Sequence, residues 1–587
     1  MAFLEGSELG TSETARALID AHVASRLAAQ DASVFDYADD VCECAARRMR
    51  WTTLATDPPY DPSEIAVVAQ QARGERLDAV VLIAQGGSAQ AAQTITKLHS
   101  LEVTVEVPFR TMDSLSPVYV NHILGSSDPA RTIYVVASKS GTTLEPTVLS
   151  HVAWKYVCAH LGAEAAGSRF IAITDPGTEL EDVARKNGWR AIFHGDPGVG
   201  GRFSALSVFG LLPMALVGID VESELTEAAD AERQCAADDE GNPAIWLAAF
   251  LYDNWRAGRD KFSLCMPPRN QVFGLWVEQI VAESLGKNGV GILPNVEVDP
   301  GILSDPHTDR SAILCNMNND DAFEHARTCI HPDIPVFRLD IPDSSAMMRY
   351  FLIWEYAIAM CGWLMRLNPF DQPDVESTKI ATRQILFSDG DEMGLEVPGD
   401  PLGRPAWMEF DLEYSHYADH MFVSSAVLEL LDDEEVTNVS ALRALFCSIE
   451  EGDYFALDAF LPFKGIGRRE TLERVRHRVA DRLGACSCLE IGPRYLHSTG
   501  QLQKGGPDTG VFLILSAAES YDISVPHQTF TLGDVASAEA MGDFSALAER
   551  GKRAVYLHLR DNDSRYLSLM ADDACSEISA AYALREK

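Results

Sequence analysis

Ser138-Lys139-Ser140-Gly141-Thr142-Thr143 gathers four hydroxyls and a lysine into six residues. The apolar run RTIYVVA precedes it, and the helical pattern LEPTVLSHVAWKYV follows. Free backbone N–H groups at a helix start attract phosphate, and hydroxyls with a lysine complete such a cradle. Thr142 and Glu145 also have the spacing of a capping box. Both readings can hold, because the box would order the loop. Gly86-Gly87-Ser88 takes the same place after the preceding apolar run, DAVVLIA. Glycine lets backbone approach a ligand, and Ser88 adds a hydroxyl, although a tight strand-to-helix turn would explain the glycines equally well.

Two further groups have the chemistry of proton transfer. In QVFGLWVEQIVAESLGK, at about 100° per residue, Gln279, Glu283, Gly286 and Lys287 share one stripe of a helix that is otherwise mostly apolar. A carboxylate on so apolar a helix is costly unless it faces a polar cavity, which makes Glu283 a general-base candidate. On an amphipathic helix the default would be a surface pair with Lys287. Arg202 follows Gly200-Gly201 at the start of an apolar stretch. A fixed guanidinium there suits an oxyanion, a phosphate or a structural ion pair.

The elements that position these residues read as α/β. Residues 1–75 read as helices. From Asp78 to about 225, buried-type strands alternate with helices, the pattern of a parallel sheet covered on both faces, with ligands at the carboxyl ends of its strands. A polar stretch near 226–242 leads to a second block at 243–384, holding KFSLCM and two strongly apolar helices. Residues 385–475 are rich in Asp and Glu and read as an acidic insertion containing the loop-like DGDEMGLEVPGDPLGRP. The strand patterns CSCLEI, TGVFLILS and RAVYLHL in 476–587 are expected to complete the second sheet.

Composition narrows the function classes. A chain of 587 residues with 47% hydrophobic content is a soluble, multidomain type. Its formal net charge of −39 opposes nucleic acid and anionic membranes, so an anionic substrate needs a local positive site. The start MAFLEGSELGTSETARAL has neither the basic flank nor the apolar stretch of a signal peptide, and a cytoplasmic location with reduced cysteines is expected. The apolar stretches Phe203–Ile219 and Tyr350–Leu367 carry Pro213 and Glu355 respectively and read as buried core helices. The Cys42/Cys44 and Cys486/Cys488 pairs read as packing, and there is no Walker A loop or complete G-x-G-x-x-G. His416 and His420, spaced i,i+4 with Glu413 nearby, lack the H-E-x-x-H order, so no metal site and no cofactor are expected.

SKSGTTLEP resembles the phosphate loop of the phosphoglucose isomerases, members of the sugar-isomerase (SIS) fold. VGGRFSALSVFGLLP resembles that family's arginine segment, EQIVAESLGK its glutamate helix, and NPFDQPDVESTK its lysine helix. GPRYLHSTGQLQKGGPDTGVFLIL and the following tail resemble the isomerase part of bifunctional transaldolase–phosphoglucose isomerase proteins, without a transaldolase barrel. The resemblance implies two flavodoxin-like α-β-α sandwich domains with mainly parallel sheets. It implies interconversion of glucose 6-phosphate and fructose 6-phosphate through a cis-enediolate. Mannose 6-phosphate as a further substrate, or a non-catalytic sugar-phosphate sensor, are the alternatives.

By the same resemblance, Glu283 shuttles the proton, Arg202 stabilises the enediolate, and Lys379 with a histidine opens the ring. Gly87, Ser88, Ser138, Lys139, Ser140 and Thr143 hold the phosphate, and Gln279 and Gln372 line the pocket. The family's H-S-x-x-Q segment is missing after the glutamate helix, where His307 in SDPHTDRS does not match. It recurs as His497-Ser498-Thr499-Gly500-Gln501, so His497 is assigned the ring-opening role, with a structural histidine as the plainer reading. A homodimer is expected, and a separately encoded transaldolase partner is compatible. The loop AQGGSAQ departs from the family's I-G-x-G-G-S at Ala84-Gln85, a change that alters sugar selectivity or repacks the turn.

Overall fold

The computed structural model describes residues 2–4, 12–102, 105–297, 300–317, 327–387, 405–413, 415–431, 434–461 and 468–586. The loop-like stretch DGDEMGLEVPGDPLGRP lies almost wholly outside them. The chain divides into two compact units. The first comprises Met1–Asp113, Ile123–Gln372 and His497–Thr499; the second comprises Ser114–His122, Pro373–Leu496 and Gly500–Lys587.

Among the described residues, the first unit contains two sheets. Strands Ala79–Ala84, Thr132–Ala137 and Phe170–Thr174 are buried along their whole length, as expected of the middle of a parallel sheet. With Phe109–Met112 at one edge and Ala191–His194 at the other, they form a five-stranded, all-parallel sheet. The second sheet orders Ala2–Leu4, Val336–Ile341, Arg310–Met317, Lys261–Cys265 and Leu293–Glu297, with only the first strand antiparallel. A continuous apolar core spans this unit, and Trp51, Trp276 and Trp354 are among its largest fully buried side chains. Trp276 packs edge-on against Phe351 at 4.6 Å between ring centres. This anchors the apolar side of the helix Gln271–Leu285, and truncation to alanine is expected to cost about 3–5 kcal/mol.

The apolar stretches of the sequence become the buried helices Val208–Leu216 and Met347–Met365. Among the described residues, no helix is long and apolar enough to cross a membrane. None of the twelve cysteines forms a disulfide.

The second unit corrects one expectation. CSCLEI, TGVFLILS and RAVYLHL do not complete the second sheet. They build a third, ordered Trp407–Asp411, Ala418–Ser424, Arg553–Leu559, Gly510–Ala517, Tyr454–Phe460 and Cys486–Ile491. Tyr454–Phe460 lies inside the stretch read as an acidic insertion. Its strand connects through the helix Arg468–Leu483 to Cys486–Ile491, its parallel neighbour. Such strand–helix–strand units pair with their own sequence neighbours, because short right-handed crossovers favour it. The mainly parallel α/β class holds in all three sheets.

A second reading changes for the same reason. The i,i+4 spacing of His416 and His420 would matter on a helix, but Ala418–Ser424 is a strand. His420 therefore faces Glu409 and Asp411 across the neighbouring strand, each at 3.2 Å from its Nδ1.

Candidate active site

The first unit gathers its polar groups where strands end and helices begin. Strand Ala79–Ala84 leads through Gln85 and Gly86 into the helix Gly87–Glu102. Gly86 has φ +55°, a left-handed conformation suited to glycine, and a Cβ there would meet His497 Cβ at 3.0 Å and Gln279 Nε2 at 3.2 Å. A Cβ on Gly87 would lie 2.1 Å from the carbonyl oxygen of Gly201. The glycines are thus required by contact: this turn is pressed between the loop before Arg202, the site helix and His497. Gln85, the departure from the family pattern, donates from Nε2 to the carbonyl of Asp113 at 2.8 Å, so its side chain packs the turn.

Arg202 is 4% exposed and tied along its whole guanidinium. Nε donates to Ser284 Oγ at 2.7 Å and Nη1 to Gln372 Oε1 at 3.0 Å. Nη2 donates to the carbonyls of Pro369 at 2.7 Å and Asp371 at 2.9 Å. Burial pushes its pKa down, while the carboxylates of Glu283 and Asp371 oppose that shift. Glu283 Oε1 lies 3.3 Å from Nη1, and Glu283 Oε2 accepts from Gln279 Nε2 at 3.1 Å. Adjacent positions of one helix, Glu283 and Ser284, thus both meet the guanidinium. The surface pair with Lys287 does not form as the alternative reading required. The helix ends at Leu285, and Lys287 Nζ turns to the carbonyls of Asn368 at 2.7 Å and Asp371 at 2.6 Å, and to Asp371 Oδ1 at 2.7 Å.

The hydroxyl-rich turn follows strand Thr132–Ala137. Ser138 Oγ donates to Thr143 Oγ1 at 3.2 Å, and Ser140 Oγ lies 3.4 Å from the same atom. Thr143 is the N-cap of the helix Leu144–Leu161 but makes no side-chain cap bond, so the capping-box reading of Thr142 and Glu145 fails. Glu145 is drawn elsewhere: its Oε1 lies 2.5 Å from His497 Nε2. Ser498 Oγ donates to Glu278 Oε1 at 3.0 Å, fixing the same segment to the site helix. Lys139 does not leave its amino group to the cradle. Nζ donates to both oxygens of Asp175 at 2.8 Å and to the carbonyl of Asp196 at 2.6 Å. Burial lowers its pKa, against the pull of Asp175.

One connected set therefore holds Gly86, Gly87, Arg202, Gln279, Glu283, Gln372 and His497. The turn carrying Ser138, Ser140 and Thr143 joins it through Glu145. Ser88 is buried one residue after Gly87. Lys379 belongs to the second unit, on the helix Glu376–Phe387, where its half-exposed Nζ lies 3.3 Å from Glu376. Sequence reasoning missed Glu145 and Ser284. The signal for Glu145 was an acid in the first turn of an otherwise apolar helix; that for Ser284 was its adjacency to Glu283.

An α/β protein in which a buried guanidinium meets a helix-borne carboxylate, with a histidine and a hydroxyl-rich turn joined to the same set, has the makings of a proton-transfer isomerase. The phosphoglucose isomerase family matches residues 5–296. The glucose-6-phosphate isomerase of Leuconostoc mesenteroides is 30% identical over 413 residues, spanning 60% of this chain and 90% of that protein. The glucose-6-phosphate isomerase of Acholeplasma laidlawii is 30% identical over 370 residues, spanning 54% and 86%. A hypothetical protein of Thermus thermophilus shares the fold at TM-score 0.55 and 24% identity, covering 66% of this chain and all of its own. The chain belongs to the phosphoglucose isomerase family.

Proposed function

We propose that the protein interconverts glucose 6-phosphate and fructose 6-phosphate through a cis-enediolate. The observation that carries this reading is the contact of Glu283 with Arg202 at 3.3 Å, beside the turn Gly86-Gly87. Phosphate held by Ser88, Ser138, Ser140 and Thr143 positions the sugar, with Lys139 bracing that turn from behind. Remote binding of this kind supplies energy for the reacting end. Glu283 moves the proton between C1 and C2, and a well-placed base of this type is worth roughly 10²–10⁴ in rate. Arg202 faces the charge that develops on the enediolate oxygens. Its hydrogen bonds hold it in place before reaction, so little reorganisation is needed.

His497, oriented by Glu145, assists ring opening, and Gln279 and Gln372 line the sugar site; the ring-opening role of Lys379 rests on the resemblance of its helix alone. Every step is a proton transfer, so the reaction calls for no electron carrier. A non-catalytic sugar-phosphate sensor would need the hydroxyl turn but not a base seated on a buried guanidinium. The reading extends to a cytoplasmic homodimer, testable by sedimentation, and to a transaldolase on a separate chain.

The test is an assay with fructose 6-phosphate, with glucose 6-phosphate formation coupled to its dehydrogenase. Wild type should turn over, and Glu283→Gln should lose roughly 10²–10⁴ in kcat. Equal activity in the two proteins discards Glu283 as the base, and an inactive wild type discards the reaction.

A further inference from the structure

The third sheet carries a polar row across its face, which the proposed isomerase chemistry does not use. Asp411 pairs with His420 in the antiparallel register, His420 with His558 on the next strand, and Ser516 with His558 beyond it. Directly paired residues on adjacent strands project to the same side, about 4.5–5.5 Å apart at Cβ. Glu409, two residues before Asp411, shares that side. The oxygens of Glu409 and Asp411 and the Nδ1 of His420 all lie within 4.8 Å of one another. His420 Nδ1 is 3.2 Å from an oxygen of each carboxylate. It is shielded from solvent, yet it makes no hydrogen bond, because neither oxygen meets the required geometry.

These distances have a chemical meaning. Imidazole and carboxylate ligands bind zinc-type ions at about 2.0–2.2 Å, which separates tetrahedral ligand atoms by roughly 3.3–3.6 Å. The His420–carboxylate separations are close to that edge. Glu409 and His420 also line a cavity of about 470 Å³, together with His558, Asp534 and Tyr556. Among the described residues no lysine or arginine lines it, so its charged groups favour a cation. His558 is held through Nδ1 by Ser516 Oγ at 2.7 Å, while Ser516 also meets the Tyr556 hydroxyl at 2.6 Å.

We propose that Glu409, Asp411 and His420 form a binding site for a divalent transition-metal ion, whose remaining coordination positions are filled by water or a small ligand in the adjoining cavity. An imidazole between two carboxylates selects the zinc, cobalt and nickel class over magnesium or calcium, which prefer all-oxygen sites.

The probe is Co²⁺ added to the metal-stripped full chain in excess Mg²⁺, followed by its visible absorption and by calorimetry. Wild type should bind one equivalent saturably. His420→Ala, and separately Glu409→Gln with Asp411→Asn, should each weaken binding by roughly tenfold or more. His416→Ala, an exposed histidine four residues earlier, should leave it unchanged. The carboxylate pair lies at exposed strand positions, so that variant keeps the test valid should His420→Ala misfold. Absence of a saturable cobalt spectrum in wild type overturns the proposal. So does unchanged binding in the carboxylate double variant.

Discussion

The first and third sheets handle polar groups in opposite ways. In the first, AVVLIA and TIYVVA are buried throughout with no charged residue, and the polar residues of the site begin past the strand ends, at Gln85 and Ser138. In the third, Asp458, Ser516, His420 and His558 sit within the strands themselves. Strand ends are inexpensive places for polar side chains, because helix starts already present unsatisfied amides that need partners. A polar group inside a sheet must find its own partner or lose its charge. Asp458 does both. One oxygen accepts from Gln503 Nε2 at 3.1 Å, and burial, reinforced by the nearby Asp543, raises its pKa well above the usual carboxylate range. In the first unit polar residues are therefore free to serve chemistry, while in the second most of them hold the fold.

The largest effect that would break this contrast lies in the second unit. Lys504 and Asp543 form a completely buried ion pair, and Tyr495 donates to Asp543 Oδ2 at 2.8 Å. Asp543→Asn leaves the lysine charge without its counterion and should cost about 3–5 kcal/mol, read as a lower urea midpoint for the unfolding of that unit. An unchanged midpoint would place this pair outside the fold's stability.

Next comes Arg202→Lys. An ammonium cannot reproduce five directed contacts, so kcat should fall by roughly 10²–10³, about 2.7–4 kcal/mol in the barrier. The rate loss should exceed the loss in unfolding free energy. The reverse order would make Arg202 a structural residue and erase the distinction between the two units.

Smaller again is Glu145→Gln. His497 loses a charged partner at 2.5 Å but keeps a hydrogen-bond acceptor. A drop of roughly tenfold in kcat with little change in KM is expected, less than deletion of an acid–base group itself would cause. A change confined to KM would make Glu145 part of substrate binding.

What was legible in the sequence follows from how local each signal is. The run-turn-helix pattern of 79–194 and the stripe bearing Gln279 and Glu283 depend on neighbouring residues, and both appear in the fold. The third sheet was not legible, because any buried strand pattern fits any parallel sheet; pairing is decided by crossovers and not by period. Glu145 was read as a cap because its true partner lies 352 residues away. Lys139 looked like a phosphate ligand by composition, yet Asp175, at the end of the next strand, takes its amino group. The His416–His420 spacing carries no helical meaning, because Ala418–Ser424 is a strand; a period has meaning only once helix or strand is known.

The finest test lies behind the site, at Lys287. Burial first, and the charge of Arg202 second, lower its pKa to about 8, with Asp371 and Glu283 opposing. The ordinary lysine value is 10.5. Between those two values the folded chain binds fewer protons than the unfolded chain, so this residue makes stability rise with pH from about 8 upward. Activity should move the other way. A neutral amine keeps two N–H donors for three acceptors, at Asn368 O, Asp371 O and Asp371 Oδ1. The segment 368–371 that seats Arg202 then loosens, and kcat/KM should fall modestly as pH passes about 8. Lys287→Arg, which does not titrate in this range, should flatten both trends. Stability and activity changing in the same direction across pH 8 would show that Lys287 does not set the arginine's seat.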